Sequence, residues 1–386
     1  WKAERARLSR DINKAQREDR RREIAEAADA LEEASRRLNP RLVHAALKKL
    51  QRKAVHLRKR TAQPSRSMKT DSEDSRPFES QEELLEGWRK FEEAKFSATP
   101  METSRGSMPG LGPADQHDVP DWADLEACLA ALANSKQVGS DEIPAELYKY
   151  SPRAKESLFK LVTRICAEED TPAAMVEGLF ITIFKNKGSQ DDMTKYRCIC
   201  LLTHAYKLLS AYLLLRLLRE VEESLPESQW GFRKGRGTRD AVWLLREFMR
   251  WALRTGKSLI VTFIDFTAAF DTVSHKFLDR ALLNAGASRK TRALFRDIYS
   301  KATARVKLRT PDGRTLFSES FDVRRGVVQG DIFSPMCFIL ALALILKSHG
   351  VSQENLGMLG VIMDHLDYAD DIAQCRDIPL ETVIKC

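Results

Sequence analysis

Cysteine is scarce in this sequence, with seven in 386 residues. Only Cys198 and Cys200 lie close together, and a one-residue gap suits neither a zinc knuckle nor a redox pair. A disulfide-stapled secreted framework is excluded, and the thiols are expected to be reduced in an intracellular protein. Long apolar runs are missing too. The longest, Met336 to Leu346, is too short to span a bilayer and is followed by Lys347. No basic stretch leads into an apolar one at the start, so no secretory signal is read there. The first residue is Trp1 rather than Met, which reads as a fragment or processed piece. Acidic residues are absent from 34–70, and no internal repeat is found.

What is present is ordinary for a globular protein: 43% hydrophobic and 31% charged residues, in a length that suits two or three domains. The charge is uneven. Residues 1–60 carry a net +10, whereas the whole chain carries +8, so the remainder is close to neutral. Such a basic excess favours a polyanion partner, or else a solvated basic surface. Residues 2–38 read as a polar, charged helix interrupted at Asn39-Pro40. A second helix follows, with Val43, Leu47, Leu50, Ala54 and Leu57 on one apolar stripe and Lys and Arg elsewhere. It is suited to nucleic acid, a membrane surface or a partner helix. Gln63 to Pro77 reads as a linker. Ser80 to Phe96 reads as a helix with a Ser80/Glu83 capping box, and Thr99 to Pro120 as a mobile loop. The expected domains are a basic helical arm over 1–62, linkers around the Ser80–Phe96 helix over 63–120, and one mixed helix-and-strand domain over 121–386.

Three segments carry the chemistry. Ser258 to Ile264 is β-branched and apolar and is expected as a buried strand, ending at Asp265. A carboxylate there is costly unless solvated, paired or metal-bound, although an aspartate capping the next helix is the commoner explanation. Leu366 to Ala373 reads as a hairpin with Asp370 and Asp371 at its tip, or as a plain surface turn. Two strands each ending in Asp, set side by side, would bring Asp265 to face Asp370, with Asp371 beside them. Carboxylates that close repel unless a cation neutralises them, and hard oxygens with open positions suit Mg2+. Two such ions about 4 Å apart serve in-line phosphoryl transfer. Between these segments, Arg324 to Pro335 contains two glycines, Ser334 as expected N-cap and Pro335 as first helical residue. The apolar helix that follows is expected to pack on the sheet.

In this order, Phe263-Ile264-Asp265 with Ala269-Phe270-Asp271, Gly326 to Gly330 with Ser334-Pro335, and Tyr368-Ala369-Asp370-Asp371 resemble motifs A, B and C of the reverse transcriptase palm. Lys136 to Tyr150 is similar to the segment that opens the domain in non-LTR (LINE-type) retrotransposons, and the helix around Trp88 to the segment before it. Lys185 to Gly188 with Lys195 to Arg197 resembles the fingers strand pair, and Gln229 to Thr238 the next fingers motif. The likeness covers roughly residues 80–375 and stops shortly after motif C, before the family's thumb. Cys198 and Cys200 stand where the family usually has Pro and Ser, and Phe333 replaces a more usual Leu.

The resemblance implies an α+β right-hand polymerase, with fingers and an antiparallel palm sheet behind a basic arm, incomplete without its thumb. Its activity would be RNA-directed DNA polymerisation. The implied catalytic and metal-binding groups are Asp265, Asp370, Asp371 and the Phe266 carbonyl, with two Mg2+ ions or Mn2+ instead. Lys187 and Arg197 would meet the triphosphate, with Lys185 the rival lysine. Phe270 would lie under the sugar, Gln329 and Gly330 near nucleotide and template, and Gly235-Arg236-Gly237 would be a template contact or a simple turn. Implied partners are an RNA template, a DNA primer or target and deoxynucleoside triphosphates, with no membrane. The expected setting is the nucleus or a cytoplasmic ribonucleoprotein. The competing readings are a remnant that only binds RNA or protein, and an RNA-dependent RNA polymerase, which Tyr368-Ala369 and Phe270 disfavour.

Overall fold

The structure, a computed structural model, describes residues 18–19, 21–34, 36, 45–47, 78–97, 108–113, 117–348 and 365–378. The expected linker over 63–77 lies outside the described residues, as do Val43, Leu50, Ala54 and Leu57 of the second basic helix and much of the 99–120 loop. The chain divides into two units. One comprises Trp1–Ala94, Ala114–Tyr212 and Ser300–Val323, the other Lys95–Pro113, Leu213–Tyr299 and Arg324–Cys386.

In the first unit, helices α1 (Gln81–Phe96), α2 (Trp122–Ala131), α3 (Ala145–Tyr150), α4 (Pro152–Glu168) and α5 (Ala173–Val176) accompany a five-stranded sheet. Its strands are β1 (Gly178–Phe184), β2 (Tyr196–Leu201), β4 (Thr303–Arg309), β5 (Thr315–Phe317) and β6 (Phe321–Asp322). β1 pairs antiparallel with β2, Phe184 opposite Tyr196, and parallel with β4. Half of the expected α1 capping box forms: the Glu83 N–H donates to Ser80 Oγ at 3.0 Å, whereas the Glu83 carboxylate accepts from the N–H of Glu79, one residue before the cap. α1 buries Trp88 completely, edge-on to Tyr196 at 5.3 Å. Ser151 accepts from the Ala154 N–H and Pro152 opens α4, whose Leu158, Phe159, Val162, Ile165 and Cys166 recur at steps of three and four and are buried. The basic arm is less polar than its composition suggests. Over 21–34 it is helical, and Ile24, Ala27, Ala28 and Leu31 pack in one cluster with Leu147.

In the second unit, α7 (Thr238–Thr255) covers one face of the antiparallel sheet β3-β8-β7, made of β3 (Ser258–Ile264), β8 (Asp371–Ile378) and β7 (His365–Tyr368). Leu244 and Phe248 meet Leu366 and Cys375 there, with Leu259 and Val261 partly covered. Phe248 is wholly buried, which stabilises by about 1.5–3 kcal/mol. Three expectations change. β3 is not buried: Phe263 is 74% exposed and Ile260 44% among the described residues. Among the described residues it pairs along one edge, with β8, and α7 reaches its first half. The helix after the glycine-rich loop, α11 (Ser334–Ser348), packs chiefly on α9 (His275–Asn284) rather than on the sheet among the described residues. α11 buries an unbroken run from Met336 to Leu342 and needs cover all round, whereas α7 offers the single apolar face that suits one side of a sheet. Ser334 is the first helical residue rather than the cap; its N–H and hydroxyl both go to the Asp331 carboxylate.

Across α9 and α10 (Arg289–Lys301), Asp279 is entirely buried. Its two oxygens accept from both Arg292 (3.1 and 3.0 Å) and Arg296 (3.1 and 2.6 Å). No helix among the described residues is long and apolar enough to cross a membrane.

Candidate active site

β3 ends at Ile264, opposite Ile372 of β8. Asp265 therefore leaves the ladder level with Asp371, the first residue of β8. Asp371 in turn pairs with Tyr368 across the hairpin. The strand beside β3 is thus β8, not the strand that leads into the acidic pair. Ala369 and Asp370 form the turn, with Ala369 at φ 58°, a left-handed conformation that turns the chain within two residues. Asp370 is half-buried; Asp265 and Asp371 are exposed. The Asp370 carboxyl is pushed above its ordinary range, first by burial and then by the charges of Asp371 and Asp265, against a lowering by its own backbone N–H.

Among the described residues, no group of three or more His, Cys, Asp or Glu side chains is already placed to hold a metal ion. The chemistry of the donor set nevertheless suits a hard divalent cation: the oxygens are carboxylate, two of the three groups are exposed, and the charges of Asp265 and Asp371 raise the proton affinity of Asp370. Such an open site suits an ion that takes its other ligands from water or a phosphate substrate.

The glycine-rich loop is bound to the turn after Asp265. The Gly326 N–H donates to the Val273 carbonyl and the Val327 N–H to that of Phe270, both at 2.7 Å. Gly326 has φ +74°, and a Cβ there would strike the Asp271 backbone, so glycine is required. His275 Nε2 faces the Gly326 carbonyl at 2.9 Å, and since a carbonyl only accepts, that nitrogen carries the proton. Tyr299 and Ser334 hydroxyls lie 2.7 Å apart; Ser334 donates to Asp331, so Tyr299 donates to Ser334. Gln329 and Gly330 are exposed at the end of this loop. Phe270 is half-buried, stacked on Phe338 at 4.2 Å and edge-on to Phe232 at 6.4 Å. Phe266, next to Asp265, is partly exposed.

Asp265, Phe266, Phe270, Gln329, Gly330, Asp370 and Asp371 all belong to the second unit, and Lys187 and Arg197 to the first. On the β1–β2 hairpin, Lys187 and Arg197 are exposed, whereas Lys185 donates to the Thr194 carbonyl at 2.9 Å. The Arg236 guanidinium is engaged by the Glu227 carboxylate and carbonyl and lies 5.1 Å from the Trp230 ring centre. The segment around Gln229, read from sequence as a fingers motif, lies in the same unit as the acidic residues and hydrogen-bonds to β7. Its buried amide was not singled out in the sequence; a polar side chain next to Trp230-Gly231 was the available signal.

The family model for reverse transcriptase (RNA-dependent DNA polymerase) matches residues 184–379, just over half of the chain. Over 280 residues the chain is 24% identical to the uncharacterised 149 kDa protein of transposon TX1 from Xenopus laevis, covering 70% of this chain and 21% of that one. It is 30% identical over 200 residues to the retrovirus-related Pol polyprotein from type-1 retrotransposable element R2 of Popillia japonica, covering 51% and 27%. It is 30% identical over 204 residues to the RNA-directed DNA polymerase from mobile element jockey of Drosophila funebris, covering 52% and 21%. The chain thus spans about a fifth to a quarter of the length of these relatives. Among solved structures, apo telomerase from Candida tropicalis matches with a TM-score of 0.38 and 12% identity, covering 61% of this chain and 46% of that one. With motifs A, B and C set around one sheet end and the family model matched across them, the chain belongs to the reverse transcriptase family.

Proposed function

We propose that this chain supplies the fingers and palm of an RNA-directed DNA polymerase of a non-LTR retrotransposon, which adds deoxynucleotides to a DNA primer on an RNA template. The observation that carries the reading is the meeting of Asp265, Asp370 and Asp371 at one end of the β3-β8-β7 sheet. Asp265, the Phe266 carbonyl and Asp370 would hold two divalent cations, Mg2+ or Mn2+, with Asp371 in support. Bound there, the cations supply charge neutralisation on the triphosphate and on the primer hydroxyl. Lys187 and Arg197 contact the phosphates; the guanidinium fork suits two phosphate oxygens at once. Gln329 and Gly330 flank the nucleotide and the template. The protein works in the nucleus or in a cytoplasmic ribonucleoprotein.

Phe270 sits five residues after Asp265, and its ring is held by stacking on Phe338. Such a fixed ring under the incoming sugar leaves no room for a 2′-hydroxyl. Overpacking of that kind costs about 1–3 kcal/mol, or roughly ten- to a hundredfold in discrimination. Phe270→Ala is expected to raise ribonucleotide use relative to deoxyribonucleotide use by that factor in primer extension on RNA, with thermal melting to verify folding. An unchanged ratio in a folded variant removes Phe270 from the sugar site; no extension by the unaltered protein leaves the alternative, a remnant that only binds RNA or protein.

The basic segment 1–62 contacts the nucleic-acid backbone without reading sequence. Because its 21–34 helix is packed through Ile24 and Leu31, the test spares that stretch and replaces Lys48, Lys49, Arg52 and Lys53 by Gln. The slope of log K against log salt should flatten by roughly 0.7 per lost contact on single strands. An unaltered slope assigns the segment to another kind of partner.

A further inference from the structure

We infer that Gln229 is the residue that positions the acidic turn. This rests on the polymerase reading of Asp370 and Asp371. Gln229 is 1% exposed, and both the oxygen and the nitrogen of its side-chain amide are hydrogen-bonded. Oε1 accepts from the Ala369 N–H at 3.0 Å and from the Gly231 N–H at 2.7 Å, while Nε2 donates to the Ala369 carbonyl at 3.3 Å. One amide thus holds both backbone groups of the left-handed residue that immediately precedes Asp370. The conformation of Ala369 sets the plane of the peptide that bears Asp370, so a clamp on both its polar groups fixes where that carboxylate points.

The surrounding segment is built for this clamp. The Asp367 N–H donates to the Ser228 carbonyl at 2.9 Å and the Trp230 N–H to the Asp367 carbonyl at 2.8 Å, so residues 228–230 run parallel to β7 as far as the turn. At the turn the ladder stops and the Gln229 side chain takes over. Gly231 lets the two backbones touch; a Cβ there would strike the Ala369 nitrogen. A left-handed alanine is strained on its own, and a shell that supplies donor and acceptor to both sides holds it. Asn is one methylene too short to reach from the same backbone, and an ionised Glu keeps the acceptors but loses the donor.

The experiment uses the full chain, unaltered and as Gln229→Met and Gln229→Glu. It measures Mn2+ binding by electron paramagnetic resonance, kcat and nucleotide KM in primer extension, and melting temperature. Gln229→Met is expected to weaken Mn2+ binding and lower kcat, each by about ten- to a hundredfold, with KM nearly unchanged. Protonated Glu reproduces the donor and acceptor of Gln, and burial raises its pKa. The kcat ratio of Gln229→Glu to unaltered protein should therefore climb toward one as pH falls from about 8 to about 6. His365 and Asp367 of β7, the acidic residues at the turn and Arg236, whose guanidinium donates to the Gln229 carbonyl at 3.4 Å, face this position in both proteins, and the ratio at each pH isolates what the introduced carboxyl adds. A folded Gln229→Met with unchanged Mn2+ binding and kcat overturns the inference, as does a pH-independent ratio for Gln229→Glu, which decides alone should Gln229→Met fail to fold. Absence of extension by the unaltered protein overturns the polymerase reading, and this inference falls with it.

Discussion

Asp370→Asn is expected to reduce primer extension by at least about a thousandfold, with far less effect on folding. A divalent cation at a transferring phosphoryl group supplies several kcal/mol of charge stabilisation, and each 1.36 kcal/mol is tenfold in rate. Asn keeps the shape of the side chain and removes one anionic ligand from a set of three. In the metal-free protein the same substitution should be stabilising at neutral pH. The Asp370 carboxyl lies above its ordinary range, so the folded state takes up its proton at a higher pH than the unfolded chain does. Ionised Asp370 therefore disfavours the fold, and that penalty is relieved as pH falls through the raised value toward the unfolded one. Mn2+ should raise the melting temperature of the unaltered protein by more than it raises that of Asp370→Asn. Near-normal extension by Asp370→Asn, or an equal metal-induced shift in both proteins, would remove the carboxylate from the site.

Asp279→Ala is expected to cost about 3–5 kcal/mol, because it leaves one buried and one partly buried guanidinium group without their counter-charge. Asp279 is wholly inaccessible, and the side chains of Arg292 and Arg296 are 5% and 18% exposed. Both arginines bind both carboxylate oxygens and also donate to the Pro109 carbonyl, so one aspartate ties α9, α10 and the 108–113 segment together. Replacing Asp279 by Leu together with Met at 292 and 296 should recover much of the loss, since the penalty comes from unpaired buried charge rather than from the missing attraction. The measurement is the urea midpoint of the transition that includes this unit, at unchanged m. A loss under about 1 kcal/mol would show that water satisfies the arginines.

The chemistry of the candidate site was legible in the sequence because it is written locally. An apolar strand that stops at Asp265, a turn at Ala369-Asp370 and a Gly326 that must lie close to other backbone are each decided by a few adjacent residues. The α1 cap and the stripe of α4 are local in the same sense, set by side-chain spacing along one helix. What only the tertiary structure decided depends on partners far along the chain. β8 rather than β7 borders β3, which sets Asp371 level with Asp265. α7 rather than α11 covers the sheet, and β3 is left largely open because its cover ends early. Gln229 and Ala369 are 140 residues apart, and Asp279 reads as an ordinary surface acid until α10 brings two arginines over it. Hydrophobic spacing tells which face of an element is apolar. It does not tell which neighbour will cover that face, because several covers bury similar area and the long-range pairing chooses among them.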